Sequence, residues 1–330
     1  MVTARRPSRV RARSPAARRT ATAPHLHLPT VDWCDSGSVT RWRALDNNAA
    51  AIAPCVLAVT SIVGFVLVYL LTVRTTPGRQ FGDASLRGAL VTNSAVVDAV
   101  DAVLGVVSVA TLLGGLAAIA LIALVRLRRA PGLAAVGLLV AANTSTWLLK
   151  THLLTRPAFG LREIAPATHN SLPSGHTTAV FSVVVALLVV VPARARRPIA
   201  ITGGAAAVVM ALATMSAGWH RAGDSIAAFL VVGAWAGIAG IATVLADDTA
   251  PARVPAPGIG DRSGGRWLIA MTLGSVGVGF CLAFGLVLIR PLRTSTLGAV
   301  SAFVCGGVLI VAAAVAVLMG VLLVLKRIDR

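Results

Sequence analysis

Three short polar blocks in an otherwise apolar sequence carry residues suited to nucleophilic and acid–base chemistry. They are Lys150-Thr151-His152-Leu153-Leu154-Thr155-Arg156-Pro157, Pro173-Ser174-Gly175-His176 and His220-Arg221-Ala222-Gly223-Asp224. His220 and Asp224 are four positions apart, so one helical turn stacks them on one face. A carboxylate bonded to one imidazole nitrogen fixes the tautomer and leaves the other nitrogen free to attack. His176 is then available as a general acid that protonates a departing alkoxide. Lys150 and Arg156, joined by Arg162 and Arg221, supply positive charge, and guanidinium groups grip phosphate through paired hydrogen bonds. Ser174 offers a hydroxyl. The Ser174-Gly175-His176 backbone opens an apolar run, where a helix N-terminus points free N–H groups at an anion. A phosphoryl group fits all of these donors.

Each residue alone has a blander reading. A single interfacial histidine is usually a structural hydrogen-bonder, and a lone Lys150 at a span end reads as a snorkelling anchor. Asp224 alone reads as a helix N-cap. His152 and His169 have no evident partner. His169, His176, His220 and Asp224 are valid metal ligands. However, they share their face with several cations, locally offset only by Glu163 and Asp224, so neither metal nor cofactor is expected. The four cysteines, Cys34, Cys55, Cys281 and Cys305, lack C-x-x-C spacing, and the last three lie in apolar runs as packing residues. It is the joint pattern of the three blocks that points to chemistry.

The elements that position these blocks follow from composition. The chain has 330 residues, 56% of them hydrophobic and 13% charged, with a mean hydropathy of +0.83. Soluble domains carry roughly 25% charged residues, so this composition implies a polytopic membrane protein. Apolar runs without strict alternation favour helices over a barrel. Spans are expected at about 49–73, 103–125, 133–149, 177–191, 199–217 and 224–246, with a loop over 74–102. A Pro/Gly/Asp linker over 247–266 leads to two further spans, about 267–289 and 297–325, and a basic end at 326–330. Residues 1–48, rich in Arg, Pro and Ala, read as a disordered basic tail that fixes topology or touches anionic lipid. The net charge of +18 resides in this tail and in short loops, which argues for membrane topology and against nucleic acid. With the N-terminus cytoplasmic, Arg126–Arg129, Arg194–Arg197 and Lys326–Arg330 all fall inside. The three polar blocks then share the outer face of the plasma membrane.

The blocks resemble the signature of the type 2 phosphatidic acid phosphatase superfamily, membrane lipid phosphatases that share their site with vanadium haloperoxidases. The resemblance covers about Leu149–Ala228. It implies an all-α transmembrane bundle with a six-helix phosphatase core, the last two spans being additional. It further implies that His220 is a nucleophile forming phosphohistidine, that Asp224 orients it, and that His176 protonates the leaving group. Lys150, Arg156, Ser174 and Gly175 would hold the phosphate, without metal. In two places the chain departs from the pattern. The Lys150-to-Arg156 spacing is one residue shorter than usual, and Ala213-Thr214 stands where a Ser-Arg pair is expected. Arg221 or Arg162 is expected to supply the missing charge, since losing one transition-state donor costs about 2.7–4 kcal/mol.

The expected function is hydrolysis of a lipid phosphate or pyrophosphate at the outer leaflet, with membrane lipid as the other partner. Two rivals remain open. A sugar or lipid hydroxyl in place of water makes the same site a transferase. A degenerate site makes the protein a binder or carrier of anionic lipid, although a binder has no need of His176, His220 and Asp224.

Overall fold

The computed structural model describes residues 36–90, 109–125, 129–157, 170–246 and 295–328. The chain divides into two units, Met1–Arg41 and Trp42–Arg330. Of the first, residues 36–41 are described and are helical, so helix begins inside the stretch expected to be tail.

The described elements are helices: α1 (Ser36–Val73), α2 (Thr76–Leu90), α3 (Val109–Val125), α4 (Arg129–Leu148), α5 (Gly175–Val190), α6 (Ala193–Ser216), α7 (Ala222–Ala246) and α8 (Thr296–Ile328). Five stretches are long and apolar enough to cross a bilayer: Ala51–Val73, Arg129–Leu153, Ala193–Ser216, Ala222–Ala246 and Thr296–Ile328. Two shorter apolar helices, Leu113–Ile122 and Gly175–Val190, lie among them. The protein is therefore an all-α, polytopic membrane bundle. The expected span at 267–289 lies outside the described residues, as does the start of the span expected at 103–125.

α7 is the best-buried span and packs against α4, α5 and α8. Phe181 and Phe229, both fully buried, meet edge to face with ring centroids 4.7 Å apart at the α5–α7 contact. In a bilayer apolar faces have little reason to prefer one another over lipid, so polar contacts and close packing carry specificity. Asn143 of α4 donates to the Ser182 hydroxyl of α5 at 3.0 Å. The Thr146 and Thr178 hydroxyls pair at 3.1 Å, and Trp235 of α7 donates to the Ser145 hydroxyl at 3.0 Å. The outer face of α1 stays apolar and open, with Ile52, Val59 and Leu67 more than half exposed, as suits contact with lipid.

Three expectations are corrected. The stretch expected to be a loop after α1 contains α2, which packs extensively on α8. The basic run Arg194–Arg197 forms the opening turns of α6. Within it Arg196 is buried and donates through Nε to the Leu188 carbonyl at 3.0 Å, satisfying one of the acceptors that α5 leaves unpaired at its C-terminus. Cys305 is buried, but Cys55 is exposed on α1 and does not pack inside.

Candidate active site

Each arm of the site is set by a break in a helix. α4 widens at its end into a π-turn, Leu149–Leu153, closed by the Leu154 amide donating to the Leu149 carbonyl at 2.9 Å. Such turns are rare and concentrate at functional sites. This one carries Lys150, half-buried, and releases an extended segment holding Arg156. Asn170 ties the segment to the next block by donating to the carbonyls of Lys150 and Leu154, each at 3.1 Å. From α1, the Tyr69 hydroxyl donates to the Thr155 carbonyl at 2.9 Å.

The second arm is the start of α5, entered through a cis Leu172–Pro173 peptide. Ser174 is its N-cap, and its hydroxyl accepts from the Thr177 amide at 3.4 Å and the Thr177 hydroxyl at 3.0 Å. Ser174 is fully buried, so its side chain serves the helix end. Gly175 stands differently: a Cβ built there would meet nothing within 4 Å. Open space thus adjoins the first N–H groups of α5, where an anion is favoured.

The third arm is the turn between α6 and α7. Gly218, with φ of 74°, takes the left-handed conformation that reverses the chain. The Thr214 carbonyl then accepts from the amides of Trp219 and His220 at 3.0 and 3.2 Å. His220 is buried, at 4% exposure. Asp224 is buried beside it, and its Oδ2 collects three contacts: the Ser171 hydroxyl at 2.6 Å, the Arg221 amide at 2.9 Å and His220 Nδ1 at 3.4 Å. Asp224 is the third residue of α7 and reaches back to the amide preceding the helix, which is the N3 half of a capping box. It is not the N-cap that its position alone suggests. The Ser174 amide donates to the Asp224 carbonyl at 3.0 Å, joining the second arm to the third.

The arms converge on two imidazoles. The ring centroids of His176 and His220 lie 6.4 Å apart, edge to face, and Trp219 flanks His176 at 5.6 Å. Because Asp224 lies against Nδ1 of His220, Nε2 is the nitrogen left for chemistry.

The cations are concentrated. Burial pushes the Arg156 guanidinium down to about 10, and the charges of Arg221 and Arg79 add to the effect, while Asp224 and Asp83 oppose it. Arg221 itself turns toward α2, where Asp83 Oδ1 accepts from its Nε at 3.1 Å and its Nη2 at 2.7 Å. Thr214, at the place of the expected arginine, is fully buried and returns its hydroxyl to the Ala211 carbonyl at 3.0 Å. Arg162 lies outside the described residues. Among the described residues no group of three or more His, Cys, Asp or Glu gathers to hold a metal.

Residues 131–245 match the model of the PAP2 superfamily. This is the family that the three blocks resemble, and the matched region contains all of them. The comparisons with curated proteins and with solved structures find no match. The PAP2 region spans α4 to α7, so α1, α2 and α8 lie beyond it.

These flanking helices nevertheless reach the candidate site. A cavity of ≈ 520 Å³ opens between α1, α2, α7 and α8, walled by apolar side chains such as Leu71, Phe81, Ile226 and Leu309, with Arg156, Arg221 and Asp224 on its lining. Sequence reasoning missed Ser171, Asp83, Arg79 and Trp219. Ser171 sits within the polar run before α5, and an Arg/Asp pair four apart was the available signal for Arg79 and Asp83.

Proposed function

We propose that the protein is an integral membrane phosphatase. It hydrolyses a lipid phosphate or pyrophosphate at the outer leaflet through a phosphohistidine on His220, without metal. The observation that carries this reading is the buried His220–Asp224 pair facing His176 across 6.4 Å at the N-terminus of α5.

The phosphoryl group rests against the first amides of α5 at Gly175, with Lys150 and Arg156 balancing its charge. Nε2 of His220 attacks phosphorus in line with the departing oxygen. The phosphorus–oxygen bond breaks, and His176 delivers its proton to the leaving alkoxide. Asp224 stabilises the charge that develops on the His220 ring. His176, now neutral, takes a proton from water, and the resulting hydroxide displaces His220 from phosphorus. This releases phosphate and restores both rings. The apolar cavity against Arg156 and Arg221 supports a substrate with an apolar tail. Ser174 contributes through the geometry of the α5 terminus, and Arg221 through its charge at the turn. The reading keeps the six-helix core that the resemblance implies and the cytoplasmic N-terminus that the charge distribution implies.

The test is phosphate release by the full-length protein in detergent from a panel of lipid phosphates, with chelator present. Activity is expected to survive chelation and to vanish in His220→Ala. Equal activity in that variant would sink the reading. A product carrying the phosphate on an added alcohol would make the enzyme a transferase.

A further inference from the structure

The stretch Gly78-Arg79-Gln80-Phe81-Gly82-Asp83 lies outside the PAP2 region, and the phosphatase reading gives it no role. It forms the first half of α2. Arg79 and Asp83 are one turn apart on the same face, and both are buried, at 2% and 3% exposure. The Arg79 guanidinium donates through Nη1 to the carbonyl of Pro157, the residue after Arg156. Asp83 holds Arg221, the residue after His220, through two donors at 3.1 and 2.7 Å. One helix face therefore grips two separate arms of the site.

The approach is close by construction. A Cβ at Gly82 would meet the Arg221 Cδ at 2.8 Å, and one at Gly78 would run into the Leu71 carbonyl oxygen. A larger residue at Gly82 would displace the Arg221 side chain, and one at Gly78 would force α2 away from the end of α1. The buried ion pair is a weak source of stability, because desolvation offsets most of the attraction between the charges. What it provides is register. With Nε and Nη2 both on Asp83, the Arg221 side chain is fixed, and its amide holds Asp224 Oδ2 at 2.9 Å. Movement of α2 would thus reach the His220–Asp224 turn directly.

We propose that Arg79 and Asp83 are positioning residues of the active site: Asp83 acts through Arg221 on the His220–Asp224 turn, and Arg79 acts through Pro157 on Arg156. This rests on the phosphatase reading for its kinetic readout. The two act on different quantities. Asp83 sets the presentation of the nucleophile, and Arg79 sets the grip on phosphate.

The experiment uses full-length protein in detergent, a short-chain diacylglycerol phosphate as substrate, and calorimetric binding of inorganic phosphate in parallel. Asp83→Asn is expected to lower kcat by about tenfold or more and to leave KM nearly unchanged, since small misplacements of reacting groups cost up to ~100-fold. Asp83→Glu, which keeps the charge, should recover most of that loss. The Asp83→Asn/Arg221→Gln double variant should be no worse than the poorer single one, as expected when one residue acts through the other. Arg79→Gln should raise KM and the phosphate Kd about tenfold with a smaller change in kcat. Wild-type kinetics in folded Asp83→Asn, or multiplicative losses in the double variant, would overturn the assignment of Asp83. If Asp83→Asn does not fold, Arg221→Gln carries the test, with a kcat loss of about tenfold expected at nearly unchanged KM; wild-type kinetics there would overturn the assignment of Asp83. A wild type that binds phosphate yet hydrolyses no lipid refutes the phosphatase reading instead. The phosphate Kd of Arg79→Gln then decides the positioning claim, and an unchanged value overturns it.

Discussion

The Ser171 hydroxyl donates to Asp224 Oδ2 at 2.6 Å, both groups being buried, across 53 positions of sequence. It is the shortest of the three contacts on that oxygen. Ser171 therefore helps aim the carboxylate that holds His220. A hydrogen bond to a charged group is worth about 1.5–3 kcal/mol, so Ser171→Ala should lower kcat by roughly tenfold or more while KM stays near the wild-type value. Ser171→Thr, which keeps the hydroxyl, should retain more activity than the alanine variant. Steady-state kinetics on one lipid phosphate checks both.

His176 as general acid makes a prediction about leaving groups. His176→Ala should cost about 100- to 10,000-fold on an alkyl phosphate, whose alkoxide needs the proton. The loss should be much smaller on an aryl phosphate with a low-pKa phenol. His220→Ala should abolish turnover of both. Equal losses on the two substrates in His176→Ala would remove the acid from its role.

Arg156 gives a pH dependence. Its guanidinium is held down at about 10, first by burial and then by Arg221 and Arg79. It is charged at pH 7 and loses its proton as pH rises through about 10, so substrate affinity should fall on that limb. A bound phosphate favours the charged form, so the limb should lie at higher pH in kcat than in kcat/KM. Arg156→Lys should move the limb, and a limb that stays in place would assign it to another group.

Topology has its own expected outcome. Thr151 is exposed on the π-turn beside Lys150. In a background with the native cysteines replaced, Thr151→Cys on intact cells should react with a membrane-impermeant thiol reagent from outside. Protection there, with labelling only after permeabilisation, would reverse the orientation.

Much of this site was legible from sequence because its chemistry is compressed into short blocks. His220 and Asp224 are four apart, and Ser174 through His176 open a helix, so local geometry alone brings them near their structural relations. The match of residues 131–245 to the PAP2 family model is legible for the same reason. α2 was not. Hydropathy finds segments that face lipid, and α2 interleaves glycine, arginine and aspartate with apolar residues, so it reads as loop. Its Arg79 and Asp83 acquire meaning only from partners 78 and 138 positions away. Ser174 shows the converse. Its residue type suggested a phosphate ligand, whereas the fold turns its hydroxyl to Thr177. Arg221, named with Arg162 for the charge absent at Thr214, has its guanidinium bound to Asp83, a residue no local reading connects to it.

The central claim is a covalent phosphoryl group on His220, and rapid quenching with phosphate-labelled lipid substrate tests it most directly. Label should appear on the full-length protein within the first turnover, stable to base and labile to acid. It should map to the peptide containing His220 and accumulate further when His176 is replaced and an aryl phosphate is the donor. Turnover by the wild type with no trapped label, or with label retained in His220→Ala, would contradict the account.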